Sequence, residues 1–412
     1  MKHLALFFVF AATIVGSISC EKIEDEDIQD NPYKTLSLTT RSADFASKGN
    51  TFAFNFIDRV NDAVEGDYII SPLSMQFLLG MVLNGAREKT ADEICSVLGY
   101  GKGEVDAVND YCLSMLKQLP DLDKKTKLTI ANAIFANKNY SLLNNYKTDV
   151  SKFYEAEVAN LDFSKNSSST KTINKWCSDH TEGLIPEIVD NVDPSTLAYL
   201  LNAMYFKSQW HEKFPKGNTS KETFTDETGA KTTVQMMKNE KSFAYQDDDV
   251  IRAVRLPYGN GAYSMTVILP VDGKTLSDVT DYLEMKTWED FQRRMVMCDV
   301  DLWLPRFETK FYINLNDILS AMGMPSAFDP VKADFKAMSD AAMCLSIVKQ
   351  KAMIKVDEEG TEAAVISMAA GLSMAAFLNN DHIVFHADRP FLYLITESST
   401  GVILFAGKYS GR

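Results

Sequence analysis

Helical and strand periodicities are segregated along this chain rather than interleaved. From Asn50 onward, Ala53, Phe56, Ile57, Val60 and Val64 recur at helical spacing and predict an amphipathic first helix. Ser71-Pro72 then supplies an N-cap and a proline suited to a first helical turn, ahead of an apolar run from Leu73 to Leu83 that stops at Asn84-Gly85. That run is apolar all round, so its helix is expected at the centre of the molecule. Thr90 and Glu93 have capping-box spacing before Ile94, Val97 and Leu98, and Gly99 closes a third helix. Strand signals dominate later: Leu128 to Phe135, Leu256-Pro257 with Ser264 to Leu269, and a strict alternation from Val300 to Leu304. Phe391 to Ile395 and Val402 to Phe405 flank the turn signal Ser399-Thr400-Gly401 and predict an antiparallel hairpin. Helices first and strands later give an α+β fold, without the regular alternation of a doubly wound sheet. There is no internal repeat and no second linker, so one domain is the expectation.

The chain has 412 residues, 46% of them hydrophobic, enough to bury a large core. Its formal net charge of −14 argues against a nucleic-acid footprint and directs attention to a protein partner. Lys2 and His3, an apolar run from Leu4 to Val15, and the small residues Gly16, Ser17 and Ser19 before Cys20 form a signal peptide, too short and too early for a spanning helix. The layout also resembles a bacterial lipobox, in which Cys20 becomes the lipidated first residue; an ordinary secretory signal cleaved nearby is the alternative. Residues 1–19 are thus expected to be a lipoprotein-type signal, 20–46 a solvated acidic tether opening on Glu24-Asp25-Glu26-Asp27, and 47–412 the folded domain. The expected location is outside the cytoplasm, lipid-anchored through Cys20 to a bacterial membrane, at the outer membrane or cell surface.

Catalytic material is sparse. His180, His211, His382 and His386 fall in no metal-binding pattern, and there is no glycine-rich phosphate loop. The five cysteines after Cys20 (Cys95, Cys112, Cys177, Cys298, Cys344) are odd in number and none is closely paired, so neither a disulfide framework nor a zinc site is expected. They read as small buried hydrophobes, with room for one exposed thiol. Gly371-Leu372-Ser373-Met374-Ala375 approaches a nucleophile elbow, but its last position is alanine and no strand-turn-helix context surrounds it. Asp357-Glu358-Glu359 reads as a solvated acidic turn. No cofactor, no metal and no enzymatic activity are expected. There remains Gly360 to Ala376, small residues with scattered Val365, Ile366, Met368, Leu372 and Met374, no proline, and the single charge Glu362. Alanine favours helix there and the β-branched pair favours strand, so local propensity does not decide; a structureless stretch of that length in a compact domain reads as a functional loop.

An ordered set of motifs resembles one family. Asn84-Gly85-Ala86 with Thr90, the run Leu200-Leu201-Asn202-Ala203-Met204-Tyr205-Phe206-Lys207 followed by Trp210 and Phe214, and Leu304-Pro305-Arg306-Phe307 resemble serpin signatures. So do Met322-Gly323-Met324 with Ala327-Phe328, Gln350-Lys351, Asp357-Glu358-Glu359-Gly360-Thr361-Glu362-Ala363-Ala364 and Ala387-Asp388-Arg389-Pro390-Phe391. The resemblance runs from about Phe52 to Lys408.

It implies helices packed around three β-sheets, with an exposed reactive loop able to enter the large central sheet. A protease would attack the loop, form an acyl-enzyme and be trapped covalently as the cut loop inserts. The implied hinge is Glu358, Glu359, Gly360, Thr361, Glu362, Ala363, Ala364, Val365, Ile366 and Ser367, and the inward side chains would be Thr361, Ala363, Val365, Ser367, Ala369 and Gly371. The implied sheet-opening latch comprises Ser71, Ser74, Asn202 and Gln350, where many members carry histidine at the last position, and Trp210 lies where the loop first enters. Counting from the hinge glycine puts the reactive bond at Met374-Ala375; Leu372, Ser373 and Ala376 are alternatives. These residues suit elastase-, chymotrypsin- or subtilisin-like serine proteases with apolar or small primary pockets, and cysteine proteases are a further target class; the inhibitor would act as a monomer. About ten new backbone hydrogen bonds at roughly 1 kcal/mol each, plus apolar burial, would drive insertion by on the order of 10 kcal/mol. The alternative within the family is a carrier or binding module that no longer inhibits, for which the bulky Val365-Ile366 pair speaks.

Overall fold

Strands are numbered in chain order: β1 (Tyr68–Ile70), β2 (Lys127–Asn137), β3 (Glu157–Leu161), β4 (Ala198–Gln209), β5 (Ser220–Thr225), β6 (Lys231–Asp247), β7 (Ile251–Tyr258), β8 (Tyr263–Pro270), β9 (Val296–Pro305), β10 (Phe307–Asn314), β11 (Lys349–Asp357), β12 (Gly360–Thr361), β13 (Asn379–His386), β14 (Phe391–Glu397) and β15 (Ile403–Tyr409). They are seen in a computed structural model that describes residues 30–285, 288–361 and 379–411. One sheet has the order β10-β11-β12-β4-β2-β3; the other runs β1-β15-β14-β8-β7-β6-β9-β13, with β5 also paired to β6. The three sheets implied by the resemblance form two hydrogen-bonded assemblies because β6 serves two of them. Its residues 231–236 pair with β5, 236–245 with β9, and 244–247 with β7.

The predicted alternation in β9 is real: Val300, Leu302 and Leu304 are buried, while Asp301 and Trp303 between them are partly exposed. β14 and β15 are the expected antiparallel hairpin, and with β8 they are buried along their whole length. The helix Pro72–Gly85 explains part of that burial. Ser71 caps it, its hydroxyl accepting a hydrogen bond from the Ser74 amide at 3.2 Å, and Pro72 occupies the first turn. Every residue from Pro72 to Leu83 is buried because the helix lies against both β4 and β15, one from each sheet.

Boundaries differ in two places. The first helix is Thr40–Ala63, starting well before Asn50, because Phe45 continues the face of Phe52 and Phe56 and is as buried as they are. Of the stretch expected to be a solvated tether, 20–46, residues 30–46 are described; most are exposed, but Leu36, Phe45 and Ala46 are buried and several others are tied to the domain. Asn31 Nδ2 donates to Asp123 Oδ1 at 2.7 Å, Leu36 is buried, and the Gln118 side chain bonds both the amide and the carbonyl of Ser37. The third helix is Glu88–Leu98 and closes on left-handed Gly99 as expected, but its N-cap is Arg87. Thr90 and Glu93 are used instead in tertiary bonds, Thr90 Oγ1 accepting from the Asp334 amide and Glu93 from the amide and hydroxyl of Ser326. Cys95, Cys112, Cys177 and Cys298 are buried and Cys344 is half-buried, in keeping with their reading as small buried hydrophobes.

Candidate functional site

β11 ends at Asp357, turns through Glu358-Glu359 and returns as β12, which is antiparallel to β11 on one side and to β4 on the other. Thr361 stands opposite Val356 and Ser208, and Gly360 opposite Asp357 and Gln209. The glycine is sterically required, because a Cβ there would collide with the Ser208 carbonyl oxygen. Thr361 is 3% exposed, so the first of the six expected inward side chains is already buried in the sheet. Glu362, Ala363, Ala364, Val365, Ile366 and Ser367 lie outside the described residues, as do the reactive-bond positions Leu372 to Ala376 and Cys20.

The acidic turn is not solvated, contrary to the sequence reading. Glu358 is 3% exposed; the Arg306 guanidinium donates to its carboxylate, and Thr219 Oγ1 donates to the same oxygen at 2.7 Å. Burial alone would raise this carboxyl, but the hydrogen bonds from Arg306 and Thr219 outweigh it and hold Glu358 below the usual glutamate range. Glu359 is also held low, by Lys213 at 2.8 Å and Lys216 at 2.9 Å. Trp210 secures the turn from behind: its indole N–H donates to the Asp357 carbonyl at 2.8 Å and its amide to the Glu359 carbonyl at 2.9 Å. The indole stacks on Tyr258 with centroids 4.5 Å apart and planes at 10°.

Below β12, β4 and β11 run in the same direction with no described strand between them; their other neighbours are β2 and β10. Three cavities line this seam. One of about 100 Å³ is bounded by Thr361 with Met204–Phe206 and Ala352–Lys355. A second, about 40 Å³, lies between Leu200–Met204 and Lys349–Ala352. A third, about 440 Å³, lies between Leu197–Leu201 and Met343–Lys349. Facing strand edges with no ladder partner among the described residues are templates for a further strand, and one continuing from Thr361 would be antiparallel to both.

The expected latch residues meet behind this seam. Gln350 and Ser71 form a two-point pair, the Ser71 amide donating to Gln350 Oε1 and Gln350 Nε2 donating to the Ser71 carbonyl, both at 3.0 Å. A planar carboxamide offers donor and acceptor side by side, so glutamine makes this contact without a histidine. Ser71 Oγ also donates to the Leu404 carbonyl at 2.7 Å, tying the latch to β15. Ser74 Oγ donates to Asn202 Oδ1, whose Nδ2 donates to Asn132 Oδ1 at 2.8 Å; Asn132 in turn donates to the Tyr154 carbonyl at 2.7 Å, and Tyr154 OH to Asn109 Oδ1 at 2.8 Å. Sequence reasoning missed Asn132, Tyr154, Thr219 and Tyr258. None sits in a local pattern; each is defined by partners far along the chain.

A two-residue strand seated at the mouth of the β4–β11 seam, with a polar network behind it, is the geometry that defines this site. The serpin (serine protease inhibitor) family profile matches residues 47–411, and the chain belongs to that family. It is 34% identical over 374 residues to serpin B6 of Macaca fascicularis, covering 89% of this chain and 98% of that protein. Leukocyte elastase inhibitor of Xenopus laevis is also 34% identical over 374 residues, covering 87% and 97% of the two chains. Human thyroxine-binding globulin in complex with its ligand superimposes with a TM-score of 0.80 at 28% identity, covering 90% of this chain and 98% of that one. The fold is the α+β serpin fold. The family comprises protease inhibitors, not catalytic enzymes, and a thyroxine-binding globulin shares its fold.

Proposed function

We propose that this chain is a suicide inhibitor of serine proteases that traps an acyl-enzyme by inserting its cleaved loop between β4 and β11. The observation that carries this reading is the seating of Thr361 at the mouth of the seam. The first rung of the new strand is in place, and further rungs need only repeat its register. Continued down β4, that register brings Gly371 opposite Ala198, at the far end of the strand. The inward set from Thr361 to Gly371 would then fill the seam, and the acyl-linked protease at Met374 would be drawn to its far end. The target has an apolar or small primary pocket, since no Lys or Arg lies between Gly360 and His382. The name of the Xenopus relative points the same way. Mixing the protein with elastase or subtilisin is expected to give an SDS-resistant covalent complex, with mass spectrometry of the released fragment placing the cut at Met374-Ala375 or at a neighbouring bond from Leu372 to Ala376. Cleaved chain without complex would refute inhibition and favour a carrier.

Anchoring rests on sequence alone. Export and lipidation at Cys20 would hold the domain at a bacterial membrane, on the outer membrane or cell surface. Metabolic labelling with a palmitate analogue should mark the wild-type chain, and Cys20→Ala should lose the label and leave the membrane fraction; an equally membrane-bound, unlabelled wild type would contradict it.

A further inference from the structure

We infer that Tyr258 is a positioning residue for loop insertion, pinning Thr361 so that the incoming strand starts in one register. This rests on the inhibitory reading above and extends it to a residue outside both the hinge and the latch. Tyr258 is the last residue of β7, a strand of the other sheet, and it is fully buried. Its hydroxyl shares a hydrogen bond with Thr361 Oγ1 at 2.6 Å. Its ring is held on two sides, by the Trp210 stack and by an edge contact to Phe206 with centroids 5.2 Å apart. The backbone beside it is fixed as well: Gly259 N donates to the Gln209 carbonyl at 2.9 Å, and His211 N donates to the Pro257 carbonyl at 2.9 Å. Gln209 is the residue opposite Gly360, so the same few residues hold Tyr258 against β4 and hold β4 against the hinge.

The chemistry selects a hydroxyl at the first inward position. A side chain that points into the sheet beside a buried phenol must satisfy that phenol or leave it unpaired. A slip of one residue would turn Thr361 to the outer face and present Glu362 to Tyr258, so the hydroxyl pair opposes slippage. With the first rung pre-formed, the ordering needed to start the strand is done before the protease arrives, and insertion competes better with deacylation.

The test uses the full chain, with Tyr258→Phe, Thr361→Val, the double variant and Thr361→Ser. Two quantities are read: the stoichiometry of inhibition of elastase or subtilisin, and hydrogen–deuterium exchange of the hinge amides 357–361 in uncut protein. Tyr258→Phe keeps the ring stack and removes only the hydroxyl. It is expected to raise the stoichiometry about threefold or more and to speed hinge exchange about tenfold. Thr361→Val should do the same, the double variant no more than the larger single change, and Thr361→Ser should stay within about 1.5-fold of wild type. A Tyr258→Phe protein with unchanged hinge exchange overturns the pin, as does one with faster exchange but unchanged stoichiometry. Additive effects in the double variant overturn it too. If wild type forms no covalent complex, the inhibitory reading fails, and the exchange measurement alone then decides whether Tyr258 holds Thr361.

Discussion

At the scale of single residues, Glu358 ties the charge of the hinge to its stability. Its carboxylate is buried against Arg306 and Thr219 and its pKa lies below the ordinary value near 4.3. A depressed pKa contributes stability that is fully present above the unfolded value and is lost as pH falls through the folded one. Glu359, held low by Lys213 and Lys216, adds in the same direction. Hinge protection, taken relative to the intrinsic exchange rate at each pH, should therefore be flat from neutral pH to about pH 5 and fall below about pH 4.3. Glu358→Gln should weaken the turn by about 1–3 kcal/mol at neutral pH and remove part of the acid dependence; a variant with the wild-type acid profile would contradict the assignment. The burial of Glu358 was not legible in the sequence, where three consecutive acids look solvated, because Thr219 and Arg306 reach it from elsewhere in the chain. Ser71 was legible locally as a cap, whereas its pairing with Gln350 depended on the resemblance.

Among the elements, β12 is only two residues long, yet it fixes the direction and register of any strand that continues from it. Its buried Thr361 gives a direct prediction. Thr361→Arg would place an unpaired cation against Tyr258, at a penalty of several kcal/mol, and should convert the proposed inhibitor into a substrate. Gel analysis should show cleaved chain in place of complex and a stoichiometry raised more than about tenfold; full inhibition by that variant would refute insertion at this site. No propensity scale marks Gly360-Thr361 as a strand, since two residues carry no periodicity. The long elements were readable for the opposite reason. The Pro72–Gly85 helix has a cap, a proline and an unbroken apolar run, and β9 alternates along its length. The burial of Leu36, Phe45 and Ala46 was hidden by the acidic stretch before them, although Leu36 and Phe45 carried the signal.

For the molecule as a whole, the seam between β4 and β11 means that the described structure leaves strand pairing unmade. Segregated periodicities made the α+β class readable from residue order, but strand order and the sharing of β6 between sheets arise from long-range pairing that no local pattern encodes. Completing the sheet would gain on the order of 10 kcal/mol, comparable to the whole stability of an ordinary domain, so the uncut form must persist through a barrier. The decisive measurement is thermal unfolding before and after a single cut between Leu372 and Ala376. The cleaved protein should melt higher by on the order of 10 °C or more, whereas an equal or lower melting temperature would contradict a spring-loaded sheet.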